Sequence, residues 1–77
     1  MKLYMYGVGL GPIQIRSRQK TIKDAVVAWF KRRYLKRAGL MAHKLMIVDE
    51  AAGRAKTWLD TEEVLTLAGW IKDGKVV

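Results

Sequence analysis

Residues 29–39, WFKRRYLKRAG, combine the two kinds of side chain that nucleic-acid surfaces use. Five of these eleven residues are Lys or Arg, aromatic rings lie among them, and none is acidic. Cationic groups hold phosphates and aromatic rings stack on unpaired bases, so this pattern is typical of a surface for RNA or single-stranded DNA. The same charge would also fit an acidic protein surface.

A helical period divides this segment into two faces. Val27, Phe30 and Tyr34 continue one apolar stripe, which is the predicted core face. The other face carries one tryptophan and the cations that follow it at helical spacing: Trp29, Arg32, Arg33, Lys36 and Arg37. Trp29 either points outward and stacks on a base, or packs against the sheet with the cations around it. The usual burial of tryptophan favours packing.

The number of cations exceeds what helix stability explains. Positive charge near a helix C-terminus gains about 0.3–1 kcal/mol per residue, but the gain is confined to the last turn. Like-charge neighbours such as Arg32 and Lys36, or Arg33 and Arg37, each cost about 0.2–0.5 kcal/mol. The surplus therefore predicts an anionic partner.

A predicted hairpin before the helix extends this positive surface. In its second strand, Gln14, Arg16 and Arg18 alternate onto one face, and two lysines follow. The candidate residues for binding nucleic acid or another partner are Arg16, Arg18, Lys20, Lys23, Trp29, Lys31, Arg32, Arg33, Tyr34, Lys36 and Arg37.

No motif in the chain indicates an enzyme. GVGLGP, residues 7–12, has proline where a phosphate-binding loop needs Lys-Ser/Thr, so its glycines predict a wide hairpin turn or a bulge. His43 is the single histidine, and a loop histidine without a positioned partner is predicted to be exposed. The sequence predicts no catalytic residue, no metal ligand and no cofactor.

The charge is segregated along the chain. Residues 1–44 carry 11 Lys or Arg and one acid, a net charge of +10, whereas residues 45–77 carry 4 Lys or Arg and 6 acids, a net charge of −2. Such segregation is typical of a protein that meets polyanions. The chain has no cysteine, and its longest unbroken apolar run, residues 25–30, is too short to span a membrane. We expect a cytoplasmic protein without a membrane partner.

Alternating side chains and turn residues predict three hairpins. Their strands cover residues 2–8 with 13–18, residues 44–50 with 55–59, and residues 70–72 with 75–77. The last pair is joined by Asp73 and Gly74, a tight-turn combination.

Two helices are predicted from their caps. Thr21 opens TIKD, a start that resembles a capping box, and this helix runs to about Ala38 and stops at Gly39. Asp60 caps a second, short helix, with Glu63 as the reciprocal partner of the cap.

The element order β-β-α-β-β-α predicts a single α+β domain over residues 1–77. We expect a small antiparallel sheet of two hairpins, with one long basic helix and one short helix on one face. A chain of 77 residues has room for one core and a stability of a few kcal/mol.

Two pieces of the C-terminal region resemble the excisionase or MerR-type helix-turn-helix family. TEEV, residues 61–64, is similar to the opening of the family's first helix, and WIKDGKVV, residues 70–77, is similar to the run from the recognition helix into the wing. Residues 65–69 leave no room for the recognition helix that would enter a major groove, so no residue roles are carried over.

The sequence thus favours a small non-enzymatic nucleic-acid-binding domain that holds RNA or single-stranded DNA by its phosphates. The alternative is an inhibitor or adaptor of the kind that phages and mobile elements encode, docking on an acidic surface of a host protein or ribonucleoprotein. Tyr4, Tyr6 or Trp58 would then be the apolar anchor.

Overall fold

The computed structural model describes residues 1–7, 12–32 and 43–76. Its elements follow the predicted order β-β-α-β-β-α and add the predicted terminal hairpin. They are β1 (Lys2–Tyr6), β2 (Ile13–Arg16), α1 (Ile22–Arg32), β3 (Lys44–Asp49), β4 (Ala55–Asp60), α2 (Thr61–Leu67), β5 (Ile71–Lys72) and β6 (Lys75–Val76).

Four of the strands form one antiparallel sheet of order β2-β1-β3-β4. The two predicted hairpins, β1 with β2 and β3 with β4, are confirmed. The hairpins join through β1 and β3, so β2 and β4 are the edge strands. The predicted α+β class is confirmed.

Buried side chains alternate along the strands of this sheet, with Val48 as an exception on the opposite face. Leu3 and Met5 of β1 are fully buried, as are Leu45 and Ile47 of β3 and, nearly so, Ile15 of β2. These five residues define the core face, and both helices contribute to the same cluster. The predicted placement of the helices on one face of the sheet is therefore confirmed.

Helix α1 begins where its cap predicts. The Asp24 backbone N–H donates to Thr21 Oγ1 at 3.1 Å, and the Ala25 N–H donates to the Thr21 carbonyl at 3.0 Å. The helix buries Ala25, Val26 and Phe30 against the core face. Its predicted course to Ala38 and Gly39 lies outside the described residues. No helix among the described residues is both long and apolar enough to cross a membrane.

An ion pair and a hydrogen bond join helix α2 and the chain after it to α1. Asp60 Oδ1 accepts the Glu63 N–H at 3.1 Å, which confirms the predicted cap. The predicted reciprocal bond from Glu63 is replaced by an ion pair with Lys23 of α1. Beyond α2, Trp70 Nε1 donates to the Phe30 carbonyl at 2.7 Å.

The ends of the strands differ slightly from the prediction. β2 ends at Arg16 instead of Arg18, and the Gln19 N–H then donates to Ser17 Oγ at 3.0 Å, a local bond that favours a turn. β1 ends at Tyr6, and the part of the predicted glycine turn over residues 8–11 lies outside the described residues. Asp73 and Gly74 have φ values of 53° and 75°, as a tight hairpin turn requires, and this turn is confirmed.

Phe30→Ala is predicted to unfold the domain. Phe30 is fully buried at the centre of the cluster, so its truncation should cost about 3–5 kcal/mol, comparable to the whole stability of a chain this short. Urea unfolding followed by circular dichroism measures the effect. Leu67→Ala is the control, because Leu67 is 52% exposed and its truncation should stay within about 0.5 kcal/mol. Equal unfolding midpoints for the two variants would contradict the described core.

Candidate nucleic-acid interface

The side of the sheet opposite the core face carries a mixture of rings and cations, and we call it the open face. No described helix packs on it, since both helices bury their apolar residues in the cluster on the core face. Strand alternation places eleven residues there: Lys2, Tyr4, Tyr6, Gln14, Arg16, Lys44, Met46, Val48, Lys56, Trp58 and Asp60.

Strand pairing sets three aromatic rings in two neighbouring rows of the open face. In one row Tyr4 has Gln14 on one side and Val48 on the other. In the next row Tyr6 faces Met46, and Met46 faces Trp58 on β4. Directly opposed residues have Cβ atoms about 4.5–5.5 Å apart, so each ring is next to the residues beside it in its row.

The three rings differ in their exposure. Trp58 is 61% exposed, the highest value among the large apolar side chains of the described residues. Tyr4 and Tyr6 are half-buried, and Val48, next to Tyr4, is buried. An exposed tryptophan adds little to folding, whereas its ring offers a large flat surface to a ligand.

Cations flank the rings on both sides. Lys2 Nζ lies 5.8 Å from the centroid of the Tyr4 ring, within the range of a cation–π contact, and Arg16 is paired directly opposite Lys2. Lys44 and Lys56 are exposed on the β3–β4 side. Two acids lie at the margins of this face: Asp60, whose carboxylate caps α2, and Glu50, directly after β3, whose backbone N–H donates to the Lys2 carbonyl at 3.1 Å.

A groove lies beside the edge strand β2, between that strand and α1. Its volume is about 800 Å³. Arg16 and Arg18 line it from the hairpin, and Trp29 and Arg32 line it from α1. Of the described residues that line it, none is acidic. Four of the residues that the sequence proposed as binding residues therefore meet in one place, which we call the β2 groove.

Trp29 belongs to the core and to the β2 groove at once. Its ring meets the Phe30 ring edge to face, with centroids 5.0 Å apart and an interplanar angle of 89°, and it packs against the core cluster. The side chain is nevertheless half-exposed and forms part of the groove wall. The packing of Trp29 agrees with the interpretation that it belongs to the core, and stacking of its ring on a base stays a prediction.

The remaining candidates lie elsewhere. Lys23 is in the ion pair with Glu63 and thus joins α1 to α2. Lys20 is exposed at the bend before α1, and Lys31 is exposed on α1 without lining the groove. His43 is exposed, as predicted. The last four candidates, Arg33, Tyr34, Lys36 and Arg37, lie outside the described residues.

The open face is the part of the site that sequence reasoning missed. The sequence predicts Tyr4, Tyr6 or Trp58 only as an anchor for a protein partner, and it does not single out three cations beside them, Lys2, Lys44 and Lys56. The alternation in β1 does signal that Tyr4 and Tyr6 share a face. Nothing local indicates that β3 and β4 bring Trp58 to the same face.

The exposure of Trp58 predicts a specific pattern of fluorescence quenching. The protein has three tryptophans, and Trp58 is exposed whereas Trp29 and Trp70 are half-buried. Because Lys44 and Lys56 share its face, the anion iodide should quench Trp58 more strongly than the cation caesium. Trp58→Phe should remove most of the iodide-accessible emission. A variant that keeps the wild-type iodide-accessible fraction would contradict the described position of Trp58.

Comparison of the chain with protein-family models, curated proteins and solved structures found no match. The described residues also bring together no group of three His, Asp or Glu side chains that fits a metal ion. The chemistry of the open face and the β2 groove is therefore what indicates a function.

Proposed function

We propose that the protein is a non-enzymatic domain that binds single-stranded nucleic acid, RNA or DNA, on its open face. The observation that carries this proposal is the grouping of Tyr4, Tyr6 and Trp58 on one face whose flanks are basic. Open antiparallel sheets with aromatic side chains on their central strands are a recurring platform for unpaired bases.

The spacing of the rings suits separate bases. Tyr4 and Tyr6 are two residues apart on β1, or about 7 Å along the strand. Tyr6 and Trp58 are two strands apart, or about 10 Å across the sheet. A splayed single strand can place one base on each ring, and stacking of this kind contributes about 1–3 kcal/mol per base. Every base has a π face, so this binding should tolerate many sequences.

The flanking cations supply the phosphate contacts. Lys2 and Arg16 lie on the β1–β2 side of the rings, and Lys44 and Lys56 lie on the β3–β4 side. A backbone that crosses the rings therefore meets positive charge where it enters and where it leaves. Neutralised phosphates release counterions, so the affinity should fall steeply with salt.

A duplex fits the open face poorly. Its bases are already stacked on one another and cannot lie on the rings. Helix α2 is followed by the hairpin of β5 and β6, so residues 61–76 contain no recognition helix for a major groove. A phosphate-binding role for the candidates Arg33, Lys36 and Arg37, with Tyr34 as a further stacking ring, stays a prediction.

The exposed Trp58 also favours a second candidate function. A tryptophan on a basic face can insert into a pocket of a partner protein, and the surrounding cations would steer the complex toward an acidic surface. This is the inhibitor or adaptor of a host protein or ribonucleoprotein that the sequence offered as its alternative.

Trp58→Ala is predicted to weaken single-strand binding. Loss of one stacking ring should cost about 1–3 kcal/mol, whereas Trp58→Phe keeps a ring and should lose much less. Anisotropy of a labelled mixed-sequence oligonucleotide, as RNA and as DNA, measures the affinity. Leu67→Ala is the control, an exposed apolar residue on α2. Equal affinities for the Trp58→Ala variant and the wild type would contradict stacking on this ring.

Lys44→Ala and Lys56→Ala are each predicted to flatten the salt dependence. Removal of one phosphate contact should lower the slope of log K against log salt by about 0.7 for a single strand. Lys72→Ala, an exposed lysine on β5, should leave the slope unchanged. A slope that all three substitutions change equally would show an effect of net charge alone.

Binding to an acidic host protein without binding to either nucleic acid would favour the second candidate function.

A further inference from the structure

We infer that a single strand bound on the open face continues over the edge of the sheet at β2 and occupies the β2 groove. This inference rests on the proposed function. It extends the site from three stacking rings to a longer track, and it assigns Arg18, Arg32 and Trp29 to the distal part of that track.

The open face and the β2 groove are continuous with each other. Lys2, Gln14 and Arg16 belong to the open face, and the same three residues line the β2 groove. Trp29 and Arg32, which line its other wall, come from the helix on the core face. The groove therefore wraps around the edge of the sheet. No described strand pairs with the outer side of β2, so nothing described blocks this path.

The β2 groove, the distal part of the track, is rich in arginine. Arg16, Arg18 and Arg32 are all exposed, and the described acids do not line the groove that these three arginines share. A guanidinium group presents paired N–H donors that match two oxygens of one phosphate. Three such groups around one groove fit a run of phosphodiesters better than a single small anion.

The walls of the β2 groove leave space for a ligand and carry polar groups. Ala25 and Ala28 line the groove with small side chains and leave room beside the indole of Trp29. As an edge strand, β2 also directs backbone N–H and C=O groups away from β1. The amides of Gln14 and Gln19, both in the lining, add further donors and acceptors. Sugars and base edges can hydrogen-bond to all of these groups.

The test compares two oligonucleotide lengths. An oligonucleotide of about four nucleotides covers the rings alone, and one of about twelve nucleotides reaches the groove as well. The variant Arg18→Ala/Arg32→Ala removes two charges from the groove. Lys72→Ala/Lys75→Ala removes two charges from the hairpin of β5 and β6 and is the matched control. All four residues are exposed, so both variants should fold, which circular dichroism checks.

The expected result is a loss that depends on length. The arginine variant should bind the long oligonucleotide at least about tenfold more weakly than the control variant and bind the short one equally well. Its salt slope for the long oligonucleotide should fall by about 1.4. RNA and DNA of one sequence should both show the effect, because the groups involved are phosphates.

The other outcomes separate the two proposals. Equal binding of the long oligonucleotide by both variants would overturn the groove path and leave the open face as the site. If the wild type binds neither length, the proposed function fails and this inference fails with it. Competition by a polyglutamate peptide that depends on Arg18 and Arg32, without a length effect for nucleic acid, would overturn the inference and assign the groove to an acidic protein segment.

Discussion

The rest of this structure depends on Phe30, which is buried and contacts several elements. Its ring is fully buried at the junction of α1 and the sheet, the indole of Trp29 meets it edge to face, and its carbonyl accepts the indole N–H of Trp70. One residue thus joins the sheet, the first helix and the chain that follows α2. Both helices bury their apolar sides on the same face of the sheet. Neither described helix packs on the other face of the sheet, the open face.

The proposed site combines two kinds of feature, cations and aromatic rings, which would have different energetic roles in binding a polyanion. Cations act over several ångströms, bring the ligand in, and give binding that weakens with salt. The rings act only in contact, and their contribution survives screening because it rests on stacking and on the removal of apolar surface from water. The two features meet at β2, where Arg16 belongs both to the open face and to the β2 groove. Charge alone would leave the partner undefined, whereas charge beside Tyr4, Tyr6 and Trp58 favours unpaired bases.

The sequence predicts what short-range rules determine. The caps at Thr21 and Asp60 can be predicted because each cap oxygen accepts the N–H of the residue three positions later, which is a local arrangement. The turn at Asp73 and Gly74 is local in the same way. The open face depends instead on the pairing of Tyr4 with Val48, two residues far apart in the chain. Alternation assigns each side chain to a face of its own strand, but strand order decides which faces join. That order is a long-range property of a fold in which α1 and α2 share one core with the sheet, and no local pattern indicates it.

An exposed tryptophan on an edge strand favours self-association of the free protein. β4 presents unpaired backbone groups along its outer side among the described residues, and an aromatic ring there invites pairing with another chain. Lys56 lies on the same face as Trp58 at the next alternating position, and Lys44 lies one row beyond it on β3. Their charges repel a second copy of the same basic surface, and they attract a polyanion. One set of lysines would therefore disfavour self-association of the free protein and, under the proposed function, favour a single strand whose bases cover the ring. Folding alone explains neither the ring nor the cations around it, whereas binding to a single strand explains both.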